Sequence, residues 1–250
     1  MTAADIIAAL DLPPGCRLDQ RVPKVRFESA APTPADRRVI RDGIAEVRWH
    51  AALKPRGVAI PAYKDAVRDY VEIQVFTAVF REDAKVGRLT ELIHRAIPYP
   101  LVLVTGDPPV LSLAHKRQSQ AESAKVVIDE VLHSSGPLGP DTPGLALFLA
   151  DLALARQQAA DLHALYQCWI DRVTTLQAAA IIGTYHADAT PAAASLVREA
   201  LAEHRDIDTR IQSLRAQAAR ETQISRRVDL NLEIKKLEAT LTGIATRLQS

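Results

Sequence analysis

Aromatic residues are scarce in this sequence, 4% of 250, and there are only two cysteines. With so few aromatics, the core must be built largely from Ala, Leu, Val and Ile, a mixture that suits long packed helices. Cys16 and Cys168 are too few and too far apart for a disulfide framework or a zinc site, and they fit a reducing compartment. No run of about 18 uninterrupted apolar residues is present, so nothing reads as a membrane-crossing helix. The first residues carry no basic stretch followed by an apolar one. The expectation is a cytoplasmic protein with no membrane association.

Charge of one sign is missing as well: the formal net charge is +1, which predicts neither a nucleic-acid coat nor an acidic surface. There is no Gly-rich phosphate loop, no Gly-x-Ser-x-Gly elbow and no Ser/His/Asp order, which sets aside nucleotide hydrolysis and hydrolase chemistry. The seven histidines, His50, His94, His115, His133, His163, His186 and His204, are scattered without metal-ligand spacing. Neither a metal nor a cofactor is expected.

What is present is pattern. Residues 17–56 hold ten Arg or Lys against five Asp or Glu, so positive charge gathers in one N-terminal segment. Lys24, Arg26, Arg48 and Lys54 belong to it, and Trp49 beside Arg48 is either a base-stacking platform or part of the core. These five are the candidate binding residues. A solvated helix face is the alternative reading of the whole basic segment.

Thr2 begins a short helix, and "LPPGC" breaks it. "TPADRRVIRDGI" then reads as a helix, with Thr33 as N-cap and Pro34 at the first helical position. "AEVRWHAAL" and "YVEIQVFTAVF" read as strands. Asp83 stands where a cap would start the next helix, which "IPYP" stops. "LVLVT" and "VLSLAHK" flank the turn "GDPP", and "KVVIDEVL" offers one more strand. The first half is therefore expected to be an α+β domain with a mostly antiparallel sheet.

Turn formers in "SSGPLGPDTPG" suggest a linker at 134–144 between a head, 1–133, and a helical arm, 145–250. Thr142 and Pro143 would start the first arm helix. From Phe148 to Ala180 apolar positions alternate by four and three, which predicts one helix of ~40 residues, ~60 Å long. "GTYHADATP" supplies a turn, and a second tract begins near Pro191. Its register changes near "RETQISRR", either as a stutter in one long helix or as a turn that makes a third. The fold expected is an α+β head followed by a long coiled-coil hairpin, with self-association through the arm left open.

One strand raises a question of chemistry. In "YVEIQVF", period two places Tyr70, Glu72, Gln74 and Phe76 on one face. Metal-dependent nucleases of the restriction type use a Glu-x-Lys or Glu-x-Gln pair on a strand, because carboxylates and amides two apart share a face and bind an oxygen-liking cation. Glu72, Gln74 and a supporting Lys116 are the catalytic candidates under that reading. The other reading of Glu72 is a buried carboxylate paired with Arg48 or Lys54 of the preceding strand.

Taken in order, "VPKVRF", "EVRWHAALKP", "VEIQVF", "RAIPYPLVLV", "LAHKR" and "RRVDLNLEIKKLEATL" resemble a bacterial domain-of-unknown-function family. Its genes tend to lie beside helicases and DNA methyltransferases in restriction or phage-defence cassettes. The pattern matches at Pro23, Lys24, Phe27, Trp49, Glu72, Gln74, Pro98, Tyr99 and Lys116. It departs around Glu28, where an aromatic-Glu-Asn string is commoner, and Glu28 receives no role. The resemblance implies a setting in DNA-directed defence, with a helicase or methyltransferase as protein partner and nucleic acid as a further one. The leading functional expectation is an accessory interaction subunit. The nuclease and a structural coiled-coil scaffold are its alternatives.

Overall fold

A computed structural model of the chain describes residues 1–118, 126–187 and 191–249. The first elements are helix α1 (Ala3–Ala9), strand β1 (Arg17–Arg21), helices α2 (Val25–Ser29) and α3 (Pro34–Gly43), strand β2 (Ile44–Leu53) and helix α4 (Pro55–Val58). A small hairpin, β3 (Tyr63–Lys64) and β4 (Asp69–Tyr70), leads to strand β5 (Ile73–Phe80), helix α5 (Val86–Ala96), and strands β6 (Leu101–Thr105) and β7 (Val110–Leu113). Strands β8 (Lys116–Gln118), β9 (Val126–Ile128) and β10 (Leu132–His133) follow, then helices α6 (Leu145–Asp151), α7 (Leu162–Ile182), α8 (Pro191–Arg220) and α9 (Ile224–Gln249).

The main sheet has the order β1-β2-β5-β6-β7-β10. All its ladders are antiparallel except β5–β6, which is parallel because α5 carries the chain back across the sheet. Strand β6 is buried throughout, as its unbroken "LVLVT" requires of a central strand covered on both faces. One face meets α2, α3 and α5 through Phe27, Ile40, Phe76, Leu92 and Leu103. The other meets α1, α6 and α7 through Ile6, Val75, Val104, Phe148 and Trp169. The fold class is α+β, a mostly antiparallel sheet with helices followed by long C-terminal helices.

Local signals hold at several places. Thr2 and Asp5 form a reciprocal cap on α1, and Thr33 accepts the Asp36 N–H at the start of α3. Gly183, at φ 81°, ends α7 within the expected turn, of which 188–190 lie outside the described residues. Others differ. Helix α5 starts at Val86, not at Asp83, whose φ of 62° places it in a left-handed turn. Helix α6 starts after Gly144, at φ 68°, rather than at Thr142 and Pro143. "KVVIDEVL" divides between β9 and β10, which join different sheets, and the basic connector supplies the edge strand β1.

The largest correction concerns the seam from Phe148 to Ala180. It is not one helix of ~40 residues: α6 ends at Asp151, the chain turns, and α7 runs from Leu162 to Ile182. Phe148, Leu152, Leu162, Tyr166, Trp169, Val173 and Leu176 are buried against the sheet, so the four-three spacing marks a helix face on a core and not a free coiled coil. Segment 134–144 contributes Leu138 to the same cluster as Ile73 and Trp169.

Beyond α7 the chain forms an antiparallel hairpin. The register change near "RETQISRR" is a turn at 221–223 between α8 and α9. Ile211 and Leu214 of α8 pack on Ile234, while Ala200 and Leu201 meet Ile244, Leu248 and Ala178 of α7. Arg210–Glu233 at 3.1 Å and Arg215–Glu238 at 2.7 Å bridge the two helices on the surface.

Candidate functional site

The β2–β5 register places Leu53 opposite Ile73 and Ala52 opposite Gln74. Continued by one residue, it sets Lys54 beside Glu72, and the Lys54 ammonium lies 3.2 Å from Glu72 Oε2. Glu72 Oε1 accepts the Gln74 side-chain N–H. Both carboxylate oxygens are therefore engaged, and Glu72 and Gln74 are 8% and 4% exposed. Lys54, not Arg48, is the partner from the preceding strand. Arg48 turns to Glu46 and to the Asp19 carbonyl, each at 3.5 Å.

The two-residue alternation of "YVEIQVF" holds from Glu72 onward. Tyr70 belongs to β4 and joins the α7-side cluster with Ile73 and Val75, because the chain is irregular at Val71 and Glu72. Period two applies only within one strand.

Lys116 leads in another direction. Its buried ammonium donates to the His94 carbonyl at 2.8 Å and to the Ile97 carbonyl, at the C-terminal end of α5. Helix-end carbonyls are a natural seat for a cation. Burial nevertheless pushes the amine down to about 7. The same loop supplies the Pro100 carbonyl to the Gln74 N–H at 2.9 Å, yet among the described residues no hydrogen bond or ion pair joins Lys116 to Glu72 or Gln74. Beside Lys116, His94 is fully buried, and its Nε2 lies 3.1 Å from Ser112 Oγ. Burial and the Lys116 charge hold that imidazole well below the usual range.

A second polar assembly lies on the opposite face and has no short motif. Arg198 of α8 donates to Asp171 Oδ1, which also accepts the Gln167 amide N–H at 2.8 Å. Gln167 Oε1 is therefore the acceptor for His115 Nε2–H at 2.8 Å, and His115 Nδ1 accepts the Tyr70 hydroxyl at 2.5 Å. His163 stacks on Tyr63 and meets Tyr70 edge-on, both at 4.9 Å. Burial lowers His115 to about 4 and raises Tyr70 to about 12, so the chain is neutral from Tyr70 to Gln167 at pH 7. It ties β4, the β7–β8 turn, α7 and α8 together. His115 and Tyr70 are 45 residues apart in sequence, and no local spacing announces them.

The candidate binding residues divide. Trp49 stacks on Phe76, with ring centroids 5.8 Å apart, and its indole N–H donates to the Ala51 carbonyl at 2.9 Å, so it is anchored into the α5-side core. Arg26 is exposed on α2. Lys24 lines a groove of about 610 Å³ with Arg21, Arg81, Val25, Glu28 and Glu46. Its ammonium donates to the Arg41 carbonyl at 2.8 Å, and Arg48 lies across from Arg21 in the β1–β2 ladder. The corner where α3 ends and β2 begins therefore gathers Arg21, Lys24, Arg41, Arg48 and Arg81. Arg81 was not among the sequence candidates, because it lies outside the basic segment and reaches the corner through the β5 ladder.

Among the described residues, no group of three or more His, Cys, Asp or Glu side chains is placed to hold a metal ion, and no helix is long and apolar enough to cross a membrane. None of the curated proteins and none of the solved structures matches the chain significantly. Residues 10–241 match the model of the family described as "Domain of unknown function (DUF4391)", and the chain belongs to that family.

Proposed function

We propose that this chain is a cytoplasmic interaction subunit of a bacterial DNA-directed restriction or phage-defence system. In this reading the basic corner contacts the phosphate backbone of DNA, and the α8–α9 hairpin meets a helicase or methyltransferase of the same system. The observation that carries the reading is the convergence of Arg21, Lys24 and Arg81 around one groove, with Arg48 across the β1–β2 ladder from Arg21. Phosphate contacts need cations on a fixed surface and no catalytic set. A long hairpin held to the molecule by Arg198–Asp171 and by the Ala178 cluster suits a docking arm.

The test is fluorescence anisotropy of labelled single- and double-stranded DNA across salt concentrations. Binding is expected to weaken as salt rises, with a logarithmic slope of about −3 if three phosphates are neutralised. The combined variant Arg21→Glu, Lys24→Glu and Arg81→Glu should abolish that binding. DNA affinity unchanged in this variant, or no binding at low salt, overturns the DNA part of the reading and favours a structural scaffold.

The adjacency of buried Glu72 and Gln74 favours one second reading, a metal-dependent nuclease that uses them with Lys116. It requires Glu72 to exchange Lys54 for a cation and a further acidic ligand to approach. Cleavage of DNA with Mn²⁺ that disappears in Glu72→Ala would establish it; intact DNA under those conditions rejects it.

A further inference from the structure

Helix α9 carries one apolar stripe that the hairpin uses and, on its other side, exposed apolar side chains in its first turns. Leu230, Ile234, Leu237, Leu241, Ile244 and Leu248 face α8 and α7. On the opposite side, Val228, Leu232, Lys235, Ala239, Thr242 and Thr246 recur at four-three spacing and are all exposed, with Ile224 one turn before them. Exposure reaches 71% at Ile224, 50% at Val228 and 53% at Leu232. Lys235 is the single charge in this outer stripe. The hydroxyls of Thr242 and Thr246 donate to their own helix, to the Glu238 and Thr242 carbonyls at 3.1 Å, so covering them strands no donor. Large apolar side chains spaced four apart and facing water, Ile224, Val228 and Leu232, mark a helix face suited to packing on another helix.

We propose that the occupant of this face is a second copy of the chain, with the two α9 helices antiparallel about a two-fold axis between Glu233 and Ile234. Charge selects this arrangement. A parallel pair would set Lys235 of one copy against Lys235 of the other. Among antiparallel registers, a shift of one heptad in one direction sets Asp229 against Asp229, and in the other Lys236 against Lys236. The register between them sets Asp229 of each copy against Lys236 of the other, and by symmetry does so twice.

Side-chain volume fits the same register, with Val228 against Ala239. The overlap runs from Ile224 to Gly243, about 30 Å of helix. The proposal is independent of the DNA reading, since α9 lies apart from the basic corner.

The experiment is sedimentation equilibrium of the full chain over a wide concentration range. The wild type is expected to show a monomer–dimer equilibrium, and Leu232→Glu to be monomeric with an unchanged circular dichroism spectrum. Asp229→Lys and Lys236→Asp should each weaken the dimer by roughly tenfold or more, and the double variant should restore it. Both positions are exposed, so misfolding cannot mimic the restoration. A wild type that is monomeric at every concentration overturns the proposal, as does a dimer that survives Leu232→Glu. A double variant no better than the single ones rejects the register and with it the two-fold pairing.

Discussion

A lysine amine buried at the end of a helix responds to pH in a direction set by burial. Lys116 titrates near 7 in the folded chain against an ordinary value of 10.5. Between those two values the unfolded chain holds the proton and the folded chain releases it, so the unfolded state binds more protons and stability rises with pH. The slope approaches about 1.4 kcal/mol per pH unit at its steepest. Above pH 10 the buried Tyr70, raised to about 12, contributes a slope of opposite sign. Urea unfolding measured from pH 7 to 9.5 should show the rise, and Lys116→Met should flatten it. Glu72 presents a different balance. Glu72→Ala strands the buried Gln74 amide and is expected to cost about 1–3 kcal/mol. Lys54→Ala should cost under about 1 kcal/mol, because the Lys54 side chain is 63% exposed and water screens the pair. Equal losses in denaturant titrations would place the worth of the cluster in the ion pair instead.

At the scale of elements, α7 shows how a side chain can join parts that are distant in sequence. The Tyr166 hydroxyl donates to the Leu101 carbonyl at 2.7 Å and accepts the Ala114 N–H at 2.9 Å, at the start of β6 and just past the end of β7. It lies fully out of water, and burial holds the phenol far above its ordinary value. Tyr166→Phe keeps the ring and leaves both backbone groups unpaired, at a cost of about 1–3 kcal/mol. The midpoint of denaturant unfolding should fall with an unchanged m value. A neutral substitution would mean that water reaches the gap.

At the scale of the whole molecule, the basic corner and the hairpin lie on different elements, so their roles separate experimentally. Arg21→Glu with Lys24→Glu and Arg81→Glu should remove salt-sensitive DNA binding while leaving the thermal midpoint within a few degrees, since exposed charges of this kind contribute little to stability. Anisotropy and a thermal melt on the same samples check both halves. A collapse of the melt would show that the groove residues brace the β1–β2 edge.

The sequence by itself determined what depends on near neighbours. The caps at Thr2 and Thr33, the stop at Gly183, the paired face of Glu72 and Gln74 and the α+β class follow from hydrogen bonds and periodicities that a few residues specify. Only the tertiary structure decided what the four-three spacing was for. The spacing of Phe148 to Leu176 and that of Leu230 to Leu248 look alike, but the first covers a sheet and the second a helix, because periodicity records which side of a helix is buried and not what buries it. The Tyr70–His115–Gln167–Asp171–Arg198 chain and the arrival of Arg81 at the basic corner were equally out of reach. Each depends on side chains brought together by sheet order and helix packing, at sequence separations that carry no period.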